Sequence, residues 1–265
     1  MTRPCAYNLT RREIYYRHDA FSAGLRAAGY DVTSEAPRIA KLGDVMLIWN
    51  RYGDYDERAT RFESQGGRVV VAENGYLGPG GISPHAMNPR QWYALALKDH
   101  NGAGSWVPGG AERFEALGVE VKPWRTEGGH VLVCPNRNFG TVPRLMPLGW
   151  DRHVAKRLAG ITKREVRIRP HPGNSQPKKP LAEDLAGAWA CVIWASSAGV
   201  HALVAGIPVV AECPYWIAKG ATGLIEDIDA PQLPDRMPTL HALAWAQWDI
   251  AEIETGEPFR RLLSE

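Results

Sequence analysis

The 265-residue sequence predicts an α/β protein built as two units, each alternating short strands with helices. Three observations carry this. Apolar runs such as Val45–Trp49 (VMLIW) and His130–Cys134 (HVLVC) have the length and near-continuous hydrophobicity of parallel strands buried on both faces. Amphipathic helical segments lie between such runs. Gly and Pro clusters punctuate them at the places where an alternating βα chain must turn.

In the first unit, Asp19–Ala28 has apolar positions at helical spacing, ends at Gly29 and leads into the short strand Tyr30-Asp31-Val32. Gly43-Asp44 precede the strand Val45–Trp49, and a charged helix follows over Asp54–Ser64, closed by Gly66-Gly67. The next strand is Arg68–Ala72 (RVVVA), which stops at Glu73-Asn74-Gly75-Tyr76. This order argues for a parallel sheet with helices on both faces. The stretch 78–89, rich in Gly and Pro, is expected to be loop.

The second unit begins near Gly128. Strands are expected at His130–Cys134, Val166–Arg169, Cys191–Ala195 and Pro208–Ala211, with helices over Trp150–Ala159, Leu181–Ala188 and Val200–Ala205. The last piece, Leu240–Ile253 (LHALAWAQWDIAEI), has a strong helical pattern. The expected organisation is a first Rossmann-like domain over 1–124, a second over 125–238, and a C-terminal helix over 239–265 that packs across them.

The chain is long enough for two modest cores. Its 45% hydrophobic and 23% charged content is that of a globular protein, and a net charge of +2 does not by itself call for a nucleic-acid partner. Several of the ten tryptophans, among them Trp92, Trp106, Trp124, Trp150 and Trp216, fall outside the clearest strands. Such rings either fill seams between elements or stack on sugars and bases. Cys5, Cys134, Cys191 and Cys213 form no C-x-x-C pair and read as thiols in a reducing compartment. No charged-then-apolar leader follows Met1, and Cys191–Ala211 is too interrupted by Ser, Gly, His and Pro to span a membrane. The expectation is a cytoplasmic protein.

Ligands of parallel α/β sheets bind beyond the carboxyl ends of the strands. In the second unit Ser196-Ser197 lie there, ahead of a helix whose first amides and dipole suit a phosphate, with Gly199 following. Arg169 and His171 end what is taken as the neighbouring strand, and Arg137 follows the first strand of the unit. A guanidinium grips a diphosphate with a planar fork. Each residue also has a plain structural reading: Ser196 as a helix cap, His171 as a turn residue, Arg137 as a surface charge.

The run Arg169-Pro170-His171-Pro172, then Ser196-Ser197-x-Gly199-x-x-Ala202-Leu203-x-x-Gly206-x-Pro208-Val209, resembles the donor domain of GT-B glycosyltransferases, most nearly the capsular-polysaccharide, Kdo-transferase-like group. Glu73-Asn74-Gly75-Tyr76-Leu77-x-Pro79, with Asn101-Gly102 downstream, is similar to a segment of the same group. Asn50-Arg51, Gln247-Trp248 and Gly256 resemble small phage-encoded glycosyltransferase-like proteins. One position departs from the pattern: His201 stands where the group usually has a glutamate that holds the donor ribose. Histidine can still bond a ribose hydroxyl or a phosphate, so the choice of nucleotide stays open.

The resemblance implies transfer of a sugar from a nucleotide-sugar, used as a co-substrate, to a hydroxyl acceptor, with no metal and no cofactor. Arg137, Arg169, Ser196, Ser197, Gly199 and His201 would form the donor and phosphate site. His171 would help neutralise the departing phosphate, and Glu73 would act as base. Asn50, Arg51, Asn74 and Tyr76 would lie on the acceptor side. The acceptor is a glycan or a hydroxymethylated DNA base. The basic run Arg152, Lys156, Arg157, Lys163, Arg164, Arg167, Lys178-Lys179 is either a solvated face or a phosphate-tracking surface for that DNA. Two D-x-D triplets, Asp54-Tyr55-Asp56 and Asp227-Ile228-Asp229, lack a supporting His/carboxylate cluster with metal-ligand spacing. Competing readings are a nucleotide-sugar epimerase, a polyol-phosphate transferase, and a nucleotide- or polysaccharide-binding protein without catalysis.

Overall fold

The computed structural model describes residues 3–37, 39–78, 92–100, 102–137, 140–141, 144–171 and 179–264. In chain order the elements are β1 (Cys5–Asn8), α1 (His18–Ala27), β2 (Asp31–Thr33), β3 (Val45–Trp49), α2 (Asp54–Ser64), β4 (Arg68–Asn74), β5 (Trp92–Leu97) and α3 (Glu112–Ala116). There follow β6 (His130–Cys134), α4 (Trp150–Ala159), β7 (Glu165–Ile168), α5 (Leu181–Leu185), β8 (Ala188–Ile193), α6 (Ala198–Val204) and β9 (Val209–Ala211). The chain ends with α7 (Met237–Ala244), β10 (Gln247–Asp249), α8 (Ile250–Glu254) and α9 (Glu257–Leu263). Two compact units result: residues 1–118 with 241–265, and residues 119–240.

The first unit is a sheet of order β10-β5-β4-β3-β1-β2 among the described residues. Strands β4, β3, β1 and β2 run parallel, and β5 pairs antiparallel with both β4 and β10. Side chains alternate along β3 with period two. Val45 and Leu47 pack with Phe21, Leu25 and Phe259 on one face, while Met46 and Ile48 pack with Tyr7 and Phe62 on the other. Both faces are therefore dry, which is why the strand reads as an unbroken apolar run.

The second unit is, among the described residues, a parallel sheet of order β7-β6-β8-β9. Its core joins Val131 and Val133 of β6, Ala190 and Val192 of β8, and Val154 and Leu158 of α4. The apolar positions of α4 recur four apart, as a helix lying on a sheet requires.

The tail is not the single helix expected over 239–265. Gln247-Trp248-Asp249 leave the helix to form β10 against Ala94, Tyr93 and Trp92 of β5. Asp249 then starts α8 with a reciprocal capping box to Glu252. The tail residues 241–265 belong to the first unit, where Trp248, Ile253 and Phe259 enter its core. Sheet pairing and burial outweigh the helical propensity of the pattern here. Strands β1 and β5 and the short α3 were likewise not expected. Pro79, Asn101, Pro172 and Lys178, which belong to the motifs and the basic run above, lie outside the described residues.

Candidate functional site

The strand order of each sheet creates a point at which successive connections leave in opposite directions, and that is where open α/β sheets bind ligands. In the second unit this point lies between β6 and β8, which are paired from His130 to Cys134 and from Ala188 to Ile193. Two loops meet there. Asn136, just after β6, accepts the backbone N–H of Ala195, just after β8, at 2.9 Å. This one bond brings the Asn136-Arg137 loop beside Ser196-Ser197. Arg137 and Ser197 are exposed and Ser196 is half-buried.

The start of α6 is less open than its sequence suggests. Ser196 Oγ accepts the N–H of Ala198 at 3.2 Å, and the Ser196 carbonyl accepts the N–H of Gly199 at 3.1 Å. Both amides are thus satisfied locally, and α6 itself spans only seven residues. What the turn presents to solvent is the Ser197 hydroxyl rather than an array of amides.

Gly199 has a packing role. A Cβ there would come within 2.6 Å of both Ile193 Cδ1 and Trp216 Cζ2, so the glycine admits the Trp216 indole against α6. His201 lies further along α6 and is partly buried. Burial lowers its pKa and so favours the neutral imidazole.

Arg169 and His171 are not on a strand next to β8. They follow β7, the outer strand, and β6 lies between it and β8. Arg169 donates to the Asp184 carboxylate at 3.1 Å and to the Lys179 carbonyl at 2.8 Å, with both charged side chains largely shielded. The guanidinium therefore ties β7 to α5. His171 is exposed.

Three arginines of the basic run are ion-paired. Arg157 pairs with Glu212 at 2.6 Å and with Glu226, Arg164 pairs with Asp229 at 2.6 Å and stacks 4.1 Å from the Trp189 ring, and Arg167 pairs with Glu165 at 2.6 Å.

In the first unit the corresponding point lies between β1 and β3. Asn50 follows β3 in the left-handed region at φ 59°, with its N–H on the Ala72 carbonyl at 3.0 Å. Arg51 is buried, and its guanidinium binds Asp56 at 2.7 Å, Glu63 at 2.9 Å, Thr60 at 3.0 Å and the Lys98 carbonyl. It clamps α2 to the end of β5 and has no face left for an acceptor.

Glu73 ends β4 and accepts the hydroxyl of Tyr76. Burial, reinforced by the Glu73 carboxylate, raises the Tyr76 pKa well above the usual phenol range, so the phenol stays protonated and donates. Asn74 accepts the Tyr15 hydroxyl at 3.1 Å. Gly75 permits a close approach, since a Cβ there would sit 2.7 Å from Trp92 Cβ. The fully buried Gln247 closes the turn. Its Oε1 accepts the N–H groups of Tyr76 and Leu77, both at 2.8 Å, and its Nε2 donates to the Leu77 carbonyl at 2.6 Å. Two separate sequence motifs, Glu73–Leu77 and Gln247-Trp248, are thus one piece of structure.

Three of the four acids of the D-x-D triplets are engaged elsewhere: Asp56 with Arg51, Asp227 with Gln232 at 2.8 Å, and Asp229 with Thr162 and Arg164, each at 2.6 Å. Among the described residues no three His, Cys, Asp or Glu side chains gather as a metal site. No helix is long and apolar enough to cross a membrane, among the same residues.

The sequence assigns no role to Asn136 or to a buried polar group around Asn8, Thr10 and His18, and shows Gln247 only as part of a motif. Only Asn136 had a local signal, a polar residue directly after a buried strand.

These two α/β units have the fold of known sugar transferases. Two solved structures share it over nearly the whole chain, both from Thermosulfurimonas dismutans KpsC. Its β-Kdo 2,7 transferase is 11% identical, with 95% of this chain and 98% of that one covered and a TM-score of 0.59. Its β-Kdo 2,4 transferase is 13% identical, with 96% and 98% covered and a TM-score of 0.61. No protein-family model and no curated protein matches the sequence.

Proposed function

We propose that the protein is a glycosyltransferase that moves a sugar from a nucleotide-sugar to a hydroxyl acceptor. The observation that carries this reading is the fold held in common with two Kdo transferases along 95% and 96% of the chain. The meeting of the Asn136-Arg137 and Ser196-Ser197 loops at the second unit's switch point supports it.

The donor phosphates bind at that point. Arg137 supplies the cation, Ser196 and Ser197 supply hydroxyls, and the neutral His201 takes a ribose hydroxyl. As the bond from the sugar carbon to the phosphate oxygen breaks, negative charge grows on the phosphate, and fixed positive potential there lowers the barrier. This arrangement asks for no metal. Arg169 and Gly199 hold the scaffold; His171 reaches the phosphates from the outer strand. Glu73, oriented by Tyr76, takes the acceptor proton, and Asn50 and Asn74 contact the acceptor, a glycan or a modified base in DNA.

Thermal unfolding in the presence of UDP, GDP, ADP and CMP tests the donor site. One of these nucleotides raises the midpoint. Arg137→Ala or Ser197→Ala removes that rise, and Ser197→Ala leaves the unliganded midpoint within about 1 °C, because surface substitutions cost within about 0.5 kcal/mol. Arg169→Ala does the reverse, lowering the unliganded midpoint and keeping the response. A flat profile with every nucleotide overturns the reading.

A further inference from the structure

The carboxyl edge of β1 holds a second group of reactive side chains that the sugar-transfer reading does not use. Asn8, Thr10, His18 and Ser22 are all at least nine-tenths buried, and His18 opens α1. Asn8 Nδ2 donates to the His18 carbonyl and to Ser22 Oγ, both at 2.9 Å. Asn8 Oδ1 accepts the Thr10 N–H at 3.1 Å and the Thr10 hydroxyl at 2.7 Å.

This network decides which nitrogen of His18 carries the proton. Nδ1 lies 2.9 Å from the Thr10 carbonyl, which only accepts. It also lies 3.2 Å from Thr10 Oγ1, whose own proton is given to Asn8. Nδ1 is therefore the N–H, shared between those two oxygens, and Nε2 is left as an acceptor. Nε2 meets Ser34 Oγ at 3.2 Å, so the Ser34 hydroxyl points its proton at the imidazole. Ser34 Oγ in turn accepts from Arg12 Nη2 at 3.2 Å. Ser34 is exposed, just past β2, and Arg12 is exposed beside it.

An exposed hydroxyl hydrogen-bonded to a base, with the base held in one tautomer by a third group, is the arrangement that activates a serine. We propose that Ser34 is a nucleophile and His18 its general base, competent to cleave carboxylic esters with a good leaving alcohol. Ser34 Oγ bonds to the carbonyl carbon as its proton passes to His18 Nε2. The Arg12 guanidinium, 3.2 Å from Ser34 Oγ, places positive charge beside the tetrahedral intermediate. The bond to the alcohol breaks, and the alcohol departs with the proton returned by His18. Water, deprotonated by the same nitrogen, then attacks the acyl-serine, the carboxylic acid leaves, and Ser34 regains its proton. The net reaction is ester plus water to acid plus alcohol. The Thr10 carbonyl and hydroxyl hold the Nδ1–H throughout.

A fluorophosphonate probe tests the nucleophile in the intact chain. Phosphonylation forms the Ser34 O–P bond and expels fluoride, with the proton passing through His18 to solvent. One label per chain, located at Ser34 by peptide mass spectrometry and absent in Ser34→Ala, is the expected result. His18→Gln slows labelling by about a hundredfold or more, the range for loss of a general base. Because His18 is buried and its variant is at risk of misfolding, Ser34→Cys gives a second measurement. The thiol of that variant, placed against Nε2 and beside Arg12, should react with iodoacetamide at pH 7 at least roughly tenfold faster than a free cysteine peptide. An unlabelled Ser34 in the natural chain, together with an ordinary alkylation rate in Ser34→Cys, overturns the proposal. Labelling of Ser34 that His18→Gln leaves unchanged in a folded variant overturns the role of His18.

Discussion

The two units end their parallel strands differently. The first unit fills its carboxyl edge from within: Arg51 spans α2 and β5, Gln247 bonds three backbone groups, and Asn8 organises α1. Aromatic rings complete it, with Trp49 edge-on to Tyr15, Tyr16 and Tyr93 at 5.5, 5.2 and 5.8 Å. The second unit joins the two loops at its switch point through the Asn136–Ala195 bond and leaves Arg137 and Ser197 exposed. Similar parallel topology thus supports a consolidated edge in one case and an open one in the other. An open edge suits a ligand that must enter and leave; a consolidated one suits a group that must be held in a fixed orientation.

The sharpest way to break this comparison is Gln247→Ala. The substitution strands two N–H groups and one carbonyl inside the first unit, and each buried polar group left unpaired costs about 1–3 kcal/mol. The expected loss is roughly 3 kcal/mol or more, read from the urea midpoint followed by tryptophan fluorescence. A loss under about 1 kcal/mol would mean that water replaces the glutamine and that this edge is not consolidated.

Asn136→Ala is the matching change in the second unit, and its cost is smaller. It removes one hydrogen bond to a backbone amide at a loop, worth about 1 kcal/mol. Its larger consequence is loss of register between the Arg137 and Ser196 loops, so any nucleotide-dependent stabilisation should fall several-fold more than the stability does. Equal losses in both measurements would make the bond purely structural.

The sequence carried the parts of this architecture that depend on local pattern. Strands β3, β4 and β6 and helices α2 and α4 were legible because buried parallel strands are continuous apolar runs and sheet-covering helices are amphipathic. β1 was hidden by its four-residue length, and β10 by an alanine- and leucine-rich context that favours a helix until pairing with β5 overrides it. The candidate site was legible as a list of residues but not as an arrangement. Nothing local to Val166–Arg169 says that β6 will separate it from β8, so Arg169 was placed beside Ser196 when Asp184 holds it elsewhere. The partners of Gln247 are about 170 residues away, and no local pattern announces them.

The smallest expected effect concerns His201, where the open edge meets the core of the second unit. Burial depresses its folded-state pKa below the ordinary histidine value near 6.5. The unfolded chain then binds the proton more readily than the folded one, so stability is fully present above about pH 6.5 and falls as the pH drops toward the folded pKa. Urea midpoints at pH 5 and pH 7 should differ for the natural protein, with the lower value at pH 5. In His201→Gln, which keeps a hydrogen-bonding group but cannot titrate, that difference should shrink. A bound nucleotide that uses the neutral imidazole should lose affinity over the same interval, and His201→Gln should remove that dependence as well. If nucleotide binding stays constant from pH 7 to pH 5 while stability still declines, His201 belongs to the packing of α6 alone, and the open edge ends at Ser197.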